Sequence, residues 1–315
     1  MAASAQAGIL DGVRVLDGAL ATELEARGAN LDGPLWSAQV LEASPHKILA
    51  VHRSYLAAGA DCIETATYQV SRMGYAECGY APERADAALL RGVELARRAA
   101  AEIPDRPIVV AASLGPYGAA LHNGAEYSGD YPIDFAGLVG FHRERIAVLA
   151  AARDAQRPDI LAFETLPSLA EAQAIAEALR AWPELQAWFS FTCRDAAHVA
   201  HGERLRDCAA AVAALPQTAA IGVNCTHPSL IAALIGELRG ASHKPAIVYP
   251  NSGEGWDAAR RCWTGAGDAT EFRALAASWY RAGAQIVGGC CRTGPRHIRA
   301  VKQADSQGEE FRPLG

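Results

Sequence analysis

The feature that most constrains the fold is a regular alternation along the chain. Short β-branched runs alternate with alanine- and leucine-rich stretches of helical period. This pattern predicts βαβ units and a parallel sheet. Eight such pairs within 315 residues favour a single closed α/β (β/α)8 barrel (TIM barrel) over an open doubly wound sheet. The eight predicted strands are residues 13–17, 62–66, 108–112, 160–164, 187–191, 219–223, 246–249 and 285–288.

Helical stretches follow the strands, and two of the connecting loops are long. No Gly-x-Gly-x-x-Gly or Walker-type loop follows the first strand, which argues against a nucleotide-binding sheet. The long loops are residues 115–132 after the third strand and 251–268 after the seventh. Long loops on a barrel are usually functional. One barrel domain is expected over 1–315, ending in a polar C-terminal tail at 305–315. The predicted helices are residues 44–58, 82–102, 134–153, 168–182, 204–214, 228–239, 269–282 and 295–302.

Composition narrows the class of protein. The net charge is −6, and no basic cluster is interleaved with aromatic residues, so nucleic acid is not an expected partner. No apolar run approaches the ~18 residues of a membrane span. Residues 1–8 lack the basic segment and apolar core of a signal peptide. We therefore expect a cytoplasmic protein, in which eight cysteines indicate metal binding or catalysis and not disulfides.

Three cysteines follow predicted strands. Cys225 follows the sixth strand, and the adjacent pair Cys290 and Cys291 follows Gly288 and Gly289 at the end of the eighth. Adjacent side chains of a strand point to opposite faces, but glycine permits a tight turn that can bring both thiols to one side. One strand separates the sixth from the eighth, so their ends lie roughly 10 Å apart. Two zinc–sulfur bonds of ~2.3 Å and two side chains can bridge that gap.

The cysteines therefore predict one zinc ion per chain with three protein ligands and an open fourth position, as in catalytic zinc sites. Three alternatives remain. The adjacent pair could be inert packing, because free cysteine is among the most buried residue types. It could be a redox pair in a metal-free enzyme. A structural zinc in a non-enzymatic protein would need a fourth protein ligand, such as His227. Buried packing is expected for Cys62, Cys78, Cys193, Cys208 and Cys262, which show no ligand spacing.

Acidic residues end three of the predicted strands. In a (β/α)8 barrel the C-terminal strand ends and the loops after them form the active site. Asp17, Glu64 and Glu164 would face the same mouth, where burial without a cationic partner is costly. A substrate ammonium group would be such a partner. We therefore include these three carboxylates among the candidate substrate-binding residues.

Other polar residues also end strands. Thr165, Asn224 and Ser252 are further candidate substrate-binding residues. For Ser252, as for Ser113 and Thr192, a helix cap or a hydrogen bond at the barrel mouth is the simpler interpretation.

Six motifs, running in order from the first predicted strand to the eighth, are similar to those of the zinc-dependent homocysteine S-methyltransferases. The resemblance implies a (β/α)8 barrel with Cys225, Cys290 and Cys291 as the metal ligands. It also places Asp17 and Glu164 at the homocysteine amino group. The chain departs from the family pattern at Ala19, where a second glycine is common. The motifs are Asp17-Gly18-Ala19-Leu20-Ala21-Thr22-Glu23-Leu24, Glu64-Thr65-Ala66-Thr67-Tyr68-Gln69, Phe163-Glu164-Thr165, Gly222-Val223-Asn224-Cys225, Tyr249-Pro250-Asn251-Ser252-Gly253 and Gly288-Gly289-Cys290-Cys291-Arg292.

The resemblance also bears on the methyl donor. Members of the family that use betaine place a tyrosine at the position aligned with Gln69, whereas here Tyr68 is one residue earlier. The run from Glu64 to Gln69 is more similar to members that use S-methylmethionine or S-adenosylmethionine. We therefore expect S-methylmethionine as donor, S-adenosylmethionine as second choice and methionine as product. The alternatives are betaine as donor, or another thiol or selenol acceptor such as selenocysteine.

The expected partners are thus two small molecules, homocysteine and a sulfonium donor, and the protein is expected to be a monomer or small homo-oligomer. Aromatic faces suit a sulfonium cation. Candidate donor-binding residues, chosen by loop position, are Trp36, Tyr68, Tyr117, Trp256 and Trp263.

Overall fold

The computed structural model describes residues 8–33, 35–257, 262–264 and 267–309, and only the backbone of 255–257, 262–264 and 307–309. Seven parallel strands form one sheet in the order β1-β2-β3-β4-β5-β6-β9, and β7 pairs with β8 in a separate antiparallel hairpin. The strands are β1 (Cys62–Glu64), β2 (Val109–Leu114), β3 (Ile160–Leu166), β4 (Ala187–Phe191), β5 (Thr218–Asn224), β6 (Ala246–Tyr249), β7 (Gly255–Asp257), β8 (Cys262–Thr264) and β9 (Ile286–Val287).

Helices connect the strands. All eight predicted helices are present, as α3, α5 and α7 to α12; α11 has the predicted ends and the others are shifted. Four shorter helices among the described residues were not predicted. The described residues form the helices α1 (Leu20–Ala26), α2 (Ala38–Ala43), α3 (Pro45–Ala58), α4 (Arg72–Glu77), α5 (Pro82–Ala100), α6 (Tyr117–Ala120), α7 (Phe135–Ala151), α8 (Leu169–Leu179), α9 (Leu205–Ala213), α10 (Ile231–Ala241), α11 (Ala269–Ala282) and α12 (Pro295–Glu309).

The first predicted strand, residues 13–17, does not form a complete strand. Val15 makes a single parallel bridge to Val287 of β9, and Leu16 makes one to Cys62 of β1. The carboxylate of Asp61 accepts hydrogen bonds from the amides of Arg14 and Val15, at 3.2 and 3.0 Å, so a side chain takes part of the strand's hydrogen bonding. Seven of the eight predicted strands are therefore confirmed, and the remaining segment contacts both edges of the sheet through one bridge each.

Two further expectations concern loops and the C-terminus. Helix α12 continues to Glu309, so residues 305–309 are helical where a polar tail was expected. Asp305 is buried and pairs with Arg14 at 2.9 Å, which ties this part of the helix to the sheet. The long loop after β2 contains α6 and a 3₁₀ turn at Ala125–Tyr127. The other long loop contains β7 and β8, and its residues 258–261 and 265–266 lie outside the described residues.

The core has two parts. A smaller cluster includes Cys62 of β1, Ala162 of β3, Trp188 of β4 and Ile247 of β6, together with Leu16 of the bridging segment. A larger cluster packs side chains of the helices against the strands. None of the described helices is both long enough and apolar enough to cross a membrane. Packing is confirmed for three of the cysteines expected to be buried, Cys62, Cys193 and Cys208, whereas Cys78 is half-buried and the side chain of Cys262 lies outside the described residues.

Candidate active site

Three thiols from two distant parts of the chain meet at the C-terminal ends of the strands. The Sγ atom of Cys225, just after β5, lies 2.8 Å from that of Cys290 and 3.4 Å from that of Cys291. All three sulfur atoms are within 4.8 Å of one another. Cys225 has a φ of 49°, in the left-handed region, and its amide donates to the carbonyl of Tyr249 on the neighbouring strand β6. The predicted convergence of the three cysteines is confirmed.

Gly288 and Gly289 permit this arrangement for a different reason from the one expected. Neither has a positive φ. A Cβ atom on Gly288 would lie 2.7 Å from Cβ of Leu16 and 2.8 Å from the carbonyl oxygen of Asp17. A Cβ atom on Gly289 would lie 2.4 Å from Oγ1 of Thr293. The glycines are required because other chain segments approach closely, and not because of special backbone angles.

The donor set fits one zinc-type ion. Thiolates are soft ligands, and three within this span match the ligand number of an open zinc site. In the described part of the chain, no histidine or carboxylate joins the cysteines in a metal-binding group. His227 instead uses Nδ1 to contact the hydroxyl of Ser229 at 2.8 Å, at the start of a 3₁₀ turn. The geometry therefore does not favour a closed site with four protein ligands.

Three carboxyl groups line the same cavity as the thiols, and of these Asp17 and Glu164 are buried and Glu64 is half-buried. Asp17 accepts a hydrogen bond from the amide of Glu64 at 3.1 Å through Oδ2, while its Oδ1 is buried without a partner. Oε1 of Glu64 is also buried without a partner, and Glu164 lies close enough to raise the pKa of Glu64 by charge repulsion. The hydroxyl of Ser113 donates a hydrogen bond to Oε1 of Glu164, and Tyr249 lines the same cavity. Two unpaired oxygen atoms thus point to a missing hydrogen-bond donor.

Burial dominates the protonation of these groups. Loss of hydration raises the pKa of Asp17 and Glu64 well above their usual values, and repulsion from Glu164 adds to this. Burial likewise raises the pKa of Glu164 to about 7. Among the described residues, no arginine or lysine forms an ion pair with any of the three. A bound cation would relieve this cost, because an opposite charge favours the ionised form.

The thiols and the carboxyl groups open into one cavity of about 500 Å³. Thr165, Trp36 and Tyr68, which the sequence suggested as candidates, also line it. Tyr127 and Glu126 of the loop after β2 form part of the wall. The hydroxyl of Tyr127 lies 3.6 Å from Sγ of Cys225.

Three of the predicted site residues do not line the cavity. Asn224 is fully buried and hydrogen-bonds to Thr165. The Ser252 hydroxyl contacts Glu254 at 3.3 Å. The Tyr117 ring packs edge-on against the rings of Tyr131 and Phe141. Each has a structural contact in place of an exposed position at the site. The side chains of Trp256 and Trp263 lie outside the described residues.

Other residues of the site were not predicted from the sequence. Tyr249 is the last residue of β6 and lines the cavity, and its position at a strand end was the available signal for it. Ser113, for which a hydrogen bond at the barrel mouth was one expectation, makes that bond to Glu164. Glu126 and Tyr127 belong to a long loop that was expected to be functional, but no motif distinguished them from its other residues.

Comparison with known proteins agrees with this geometry. The sequence model of the family described as homocysteine S-methyltransferase matches residues 14–304. The chain belongs to the homocysteine S-methyltransferase family. Homocysteine S-methyltransferase of Escherichia coli K12 is 44% identical over 92% of this chain and 94% of its own length. Homocysteine S-methyltransferase YbgG of Bacillus subtilis is 44% identical over 91% of this chain and 92% of its own length. Selenocysteine Se-methyltransferase of Brassica oleracea is 43% identical over 92% of this chain and 88% of its own length.

Solved structures of a family member are also similar to this chain. The metallated form of the homocysteine methyltransferase MmuM from Escherichia coli has a TM-score of 0.83 at 41% identity, over 94% of this chain and 98% of its own. Its oxidised form has the same TM-score, and its apo form has 0.75 at 38% identity over the same shares. The family fold therefore extends over nearly the whole chain.

Proposed function

We propose that this protein is a zinc-dependent homocysteine S-methyltransferase. It transfers a methyl group from a sulfonium donor to the thiol of homocysteine and produces methionine. The observation that carries the proposal is one cavity with two components. Cys225, Cys290 and Cys291 lie within 4.8 Å of one another, and buried carboxyl groups without cationic partners lie beside them.

The scaffold is proposed to be a closed (β/α)8 barrel that forms one homocysteine-binding domain. Seven parallel strands form the sheet, and the bridges of Val15 and Leu16 connect its two edge strands. Closure would bring the C-terminal ends of β5 and β9 to the same mouth as those of β1 and β3. We expect the enzyme to act in a reducing compartment such as the cytoplasm, because thiols must stay reduced to bind a metal.

Cys225, Cys290 and Cys291 would hold one Zn²⁺ ion per chain. When bound, zinc lowers the pKa of a coordinated thiol, so that homocysteine is present as the nucleophilic thiolate at neutral pH. Three protein ligands leave a coordination position for the substrate sulfur. The proposed site therefore explains why the cluster contains three cysteines and no fourth protein ligand among the described residues.

The carboxyl groups would bind the homocysteine ammonium group. Oδ1 of Asp17 and Oε1 of Glu64 are the buried acceptors that need a donor. The ammonium group of homocysteine can donate to both of these oxygen atoms, and its positive charge would offset the burial and repulsion that raise the pKa of Asp17 and Glu64.

The methyl transfer needs no general base at the transfer step. The substrate sulfur forms a bond to the methyl carbon while the bond from that carbon to the donor sulfur breaks, and the thiol proton is released. Catalysis then depends on in-line placement of the two sulfur atoms and on exclusion of water. Burial of Asp17 and Glu164 and the position of Tyr127 in the cavity wall both serve this placement.

The size of the cavity favours S-methylmethionine as donor. A volume of about 500 Å³ is in the lower half of the range for one drug-sized ligand, roughly 300–1,000 Å³. Two small amino acids suit this space better than one amino acid and a nucleoside-bearing S-adenosylmethionine. Trp36 and Tyr68 line the cavity and can present aromatic faces to a sulfonium cation. Tyr127 takes the place proposed for Tyr117, which packs outside the cavity.

A second candidate acceptor is selenocysteine. The Brassica relative named for that activity is 43% identical over 92% of this chain. A selenol can occupy the position of a thiol, so both acceptors belong in the same test.

The decisive experiment is an acceptor and donor matrix with the purified, zinc-loaded protein. Homocysteine and selenocysteine are each incubated with S-methylmethionine, S-adenosylmethionine and betaine, and the methylated products are quantified. We expect methionine from homocysteine, fastest with S-methylmethionine. Absence of methionine with every donor, in protein that contains stoichiometric zinc, would contradict the proposed function.

A further inference from the structure

We infer that a buried cluster of Glu171, His142 and Arg145 positions the loop that covers the cysteines. The loop comprises residues 115–134 and runs from the end of β2 to the residue that caps α7. None of the three cluster residues lines the cavity. They are positioning residues that act through the loop. The inference rests on the proposed function only in treating the covered cavity as the site of the reaction.

The 3₁₀ turn at Ala125–Tyr127 is the part of the loop that reaches the site. The Tyr127 side chain is 50% exposed, yet its hydroxyl is 3.6 Å from Sγ of Cys225. Glu126 lines the cavity, and its Oε2 is buried without a partner. The outer face of Tyr127 thus meets solvent while its hydroxyl faces the thiols. The three cysteines are half-buried with the turn in this position, so displacement of the turn would expose their thiols further to solvent.

Glu171 joins the two ends of the loop. It lies in the first turn of α8 and its side chain is fully buried. One carboxylate oxygen, Oε1, accepts from the amide of Tyr117, before the turn, at 2.5 Å. The other, Oε2, accepts from the hydroxyl of Tyr131, after the turn, at 2.6 Å. One buried carboxylate therefore fixes the separation of two points that flank Ala125–Tyr127.

His142 and Arg145 of α7 complete the cluster. Burial lowers the pKa of His142 to about 4, so the ring is neutral at pH 7. Its Nε2 lies 3.0 Å from Oε1 of Glu171 and its Nδ1 lies 2.8 Å from the guanidinium of Arg145. Because an arginine can only donate, the network assigns the ring proton to Nε2. Arg145 also donates to the carbonyl of Gly115 at 2.9 Å, which fixes the first residue of the loop.

The loop is also packed tightly on itself. A Cβ atom on Gly118 would lie 2.5 Å from the amide nitrogen of Glu126 and 2.7 Å from the carbonyl carbon of Ala125. Both contacts are with the backbone of the 3₁₀ turn, which can move away only if the turn shifts. Glu171 holds α6 in place at Tyr117. Because Gly118 of α6 packs directly against the backbone of the 3₁₀ turn, the position of α6 determines the position of the turn that carries Tyr127.

The test measures how well the loop shields the thiols from a reagent in solution, and it does not depend on enzyme activity. Tyr131→Phe removes one hydrogen bond to Glu171 and keeps the ring contact with Tyr117. Tyr280→Phe is the matched control, because its hydroxyl donates one hydrogen bond, at 2.9 Å, to the carbonyl of Arg14 at the opposite end of the sheet. The readout is the rate of iodoacetamide modification of Cys225, Cys290 and Cys291 in reduced, metal-stripped protein, resolved by peptide mass spectrometry.

We expect Tyr131→Phe to raise the modification rate roughly tenfold or more, as loss of a hydrogen bond to a charged group would allow, and Tyr280→Phe to leave it unchanged. Gly118→Ala should raise the rate similarly, while Gly140→Ala, an exposed helical position with open space around it, should not. Glu171→Gln would leave buried Arg145 without its countercharge and destabilise the fold, so the milder variants carry the test.

Wild-type modification rates in both Tyr131→Phe and Gly118→Ala would overturn the inference and reduce the cluster to a structural role. The modification rates can be measured whether or not the protein methylates homocysteine. Failure of this inference and failure of the proposed function are therefore distinguishable. In active protein, the two variants should raise KM for the donor more than they lower kcat.

Discussion

The side chain of Asn224 makes two hydrogen bonds to Thr165, although another strand lies between the strands of these two residues. Its Oδ1 accepts from the amide of Thr165 and its Nδ2 donates to Oγ1 of Thr165, both at 2.8 Å. Asn224 is the last residue of β5 and Thr165 is the penultimate residue of β3, and β4 lies between these strands. Thr165 has a φ of 59° and Cys225, the residue after Asn224, has a φ of 49°. One side-chain amide thus connects the irregular end of β3, which presents Glu164, with the bend after β5, which presents a thiol.

The first prediction concerns this pair. Positive φ values at non-glycine residues cost about 1–3 kcal/mol each and persist only where surrounding contacts hold them. Asn224→Ala removes those contacts and leaves a buried amide of Thr165 unpaired, at a further cost of about 1–3 kcal/mol. We expect a loss of about 2–4 kcal/mol in unfolding free energy and a fall of about tenfold or more in zinc affinity. Chemical denaturation and competition with a chromogenic chelator measure the two effects.

Asn30→Ala is the control for this prediction, because Asn30 is an exposed asparagine that caps a local turn through its side-chain oxygen. It should leave zinc affinity unchanged. If Asn224→Ala bound zinc as tightly as the wild type, the connection between the two turns would have no role in forming the metal site.

The residues that could be predicted from the sequence are those set by local pattern. β-branched runs located seven of eight strands, and the cysteine spacing located the thiols because parallel strands end at one edge. The first strand was predicted wrongly as a full strand because Asp61, distant in sequence, takes hydrogen bonds from its amides. A local sequence pattern does not show that a distant side chain will accept the hydrogen bonds that a neighbouring strand would otherwise accept.

The same limit applies to the site. Asp17, Glu64 and Glu164 were identified as unpaired acids at strand ends, and the structure brings them into one cavity. Asn224 and Ser252 also end or follow strands, but whether a side chain faces the cavity or a neighbouring turn depends on backbone angles that the sequence does not reveal. The position of Tyr127 beside the thiols depends on contacts between its loop and α8, which are far apart in the chain.

The second prediction tests the metal ligands. Cys225→Ser or Cys290→Ser should abolish stoichiometric zinc binding and methyl transfer, because a hydroxyl is a poor replacement for a thiolate ligand. Zinc content is measured by atomic spectroscopy after gel filtration under reducing conditions. Cys78→Ser, at a half-buried cysteine that does not line the cavity, should keep one zinc per chain. Full zinc content and full turnover in Cys225→Ser would show that the cluster is not the metal site.

The third prediction tests the ammonium site. Asp17→Asn keeps the shape of the side chain but removes its charge, so the unpaired oxygen no longer attracts an ammonium group. A hydrogen bond to a charged group contributes about 1.5–3 kcal/mol, which corresponds to a rise of roughly 10- to 150-fold in KM for homocysteine. Steady-state kinetics at saturating donor measure it, and Asp105→Asn, at an exposed position, is the control. An unchanged KM would count against the assignment of Asp17.

The fourth prediction concerns the pH dependence of stability in metal-free, ligand-free protein. Burial raises the pKa of Glu164 from its usual 4.5 to about 7 in the folded state. Between these values the folded state binds more protons than the unfolded state, so stability falls as pH rises from about 4.5 to about 7. Moving the pKa this far corresponds to about 3 kcal/mol. Glu164→Gln stays neutral and can still accept from Ser113, so it should escape this loss.

The unfolding free energies of Glu164→Gln and the wild type should therefore be similar near pH 4.5 and differ by up to about 3 kcal/mol in favour of the variant above pH 7. Urea denaturation at half-unit steps between pH 4.5 and 8 measures the difference. Glu184→Gln, at an exposed glutamate, should follow the wild type throughout. Parallel curves for Glu164→Gln and the wild type would mean that Glu164 is already ionised and stabilised in the empty cavity, which would remove the need for a cationic substrate group beside it.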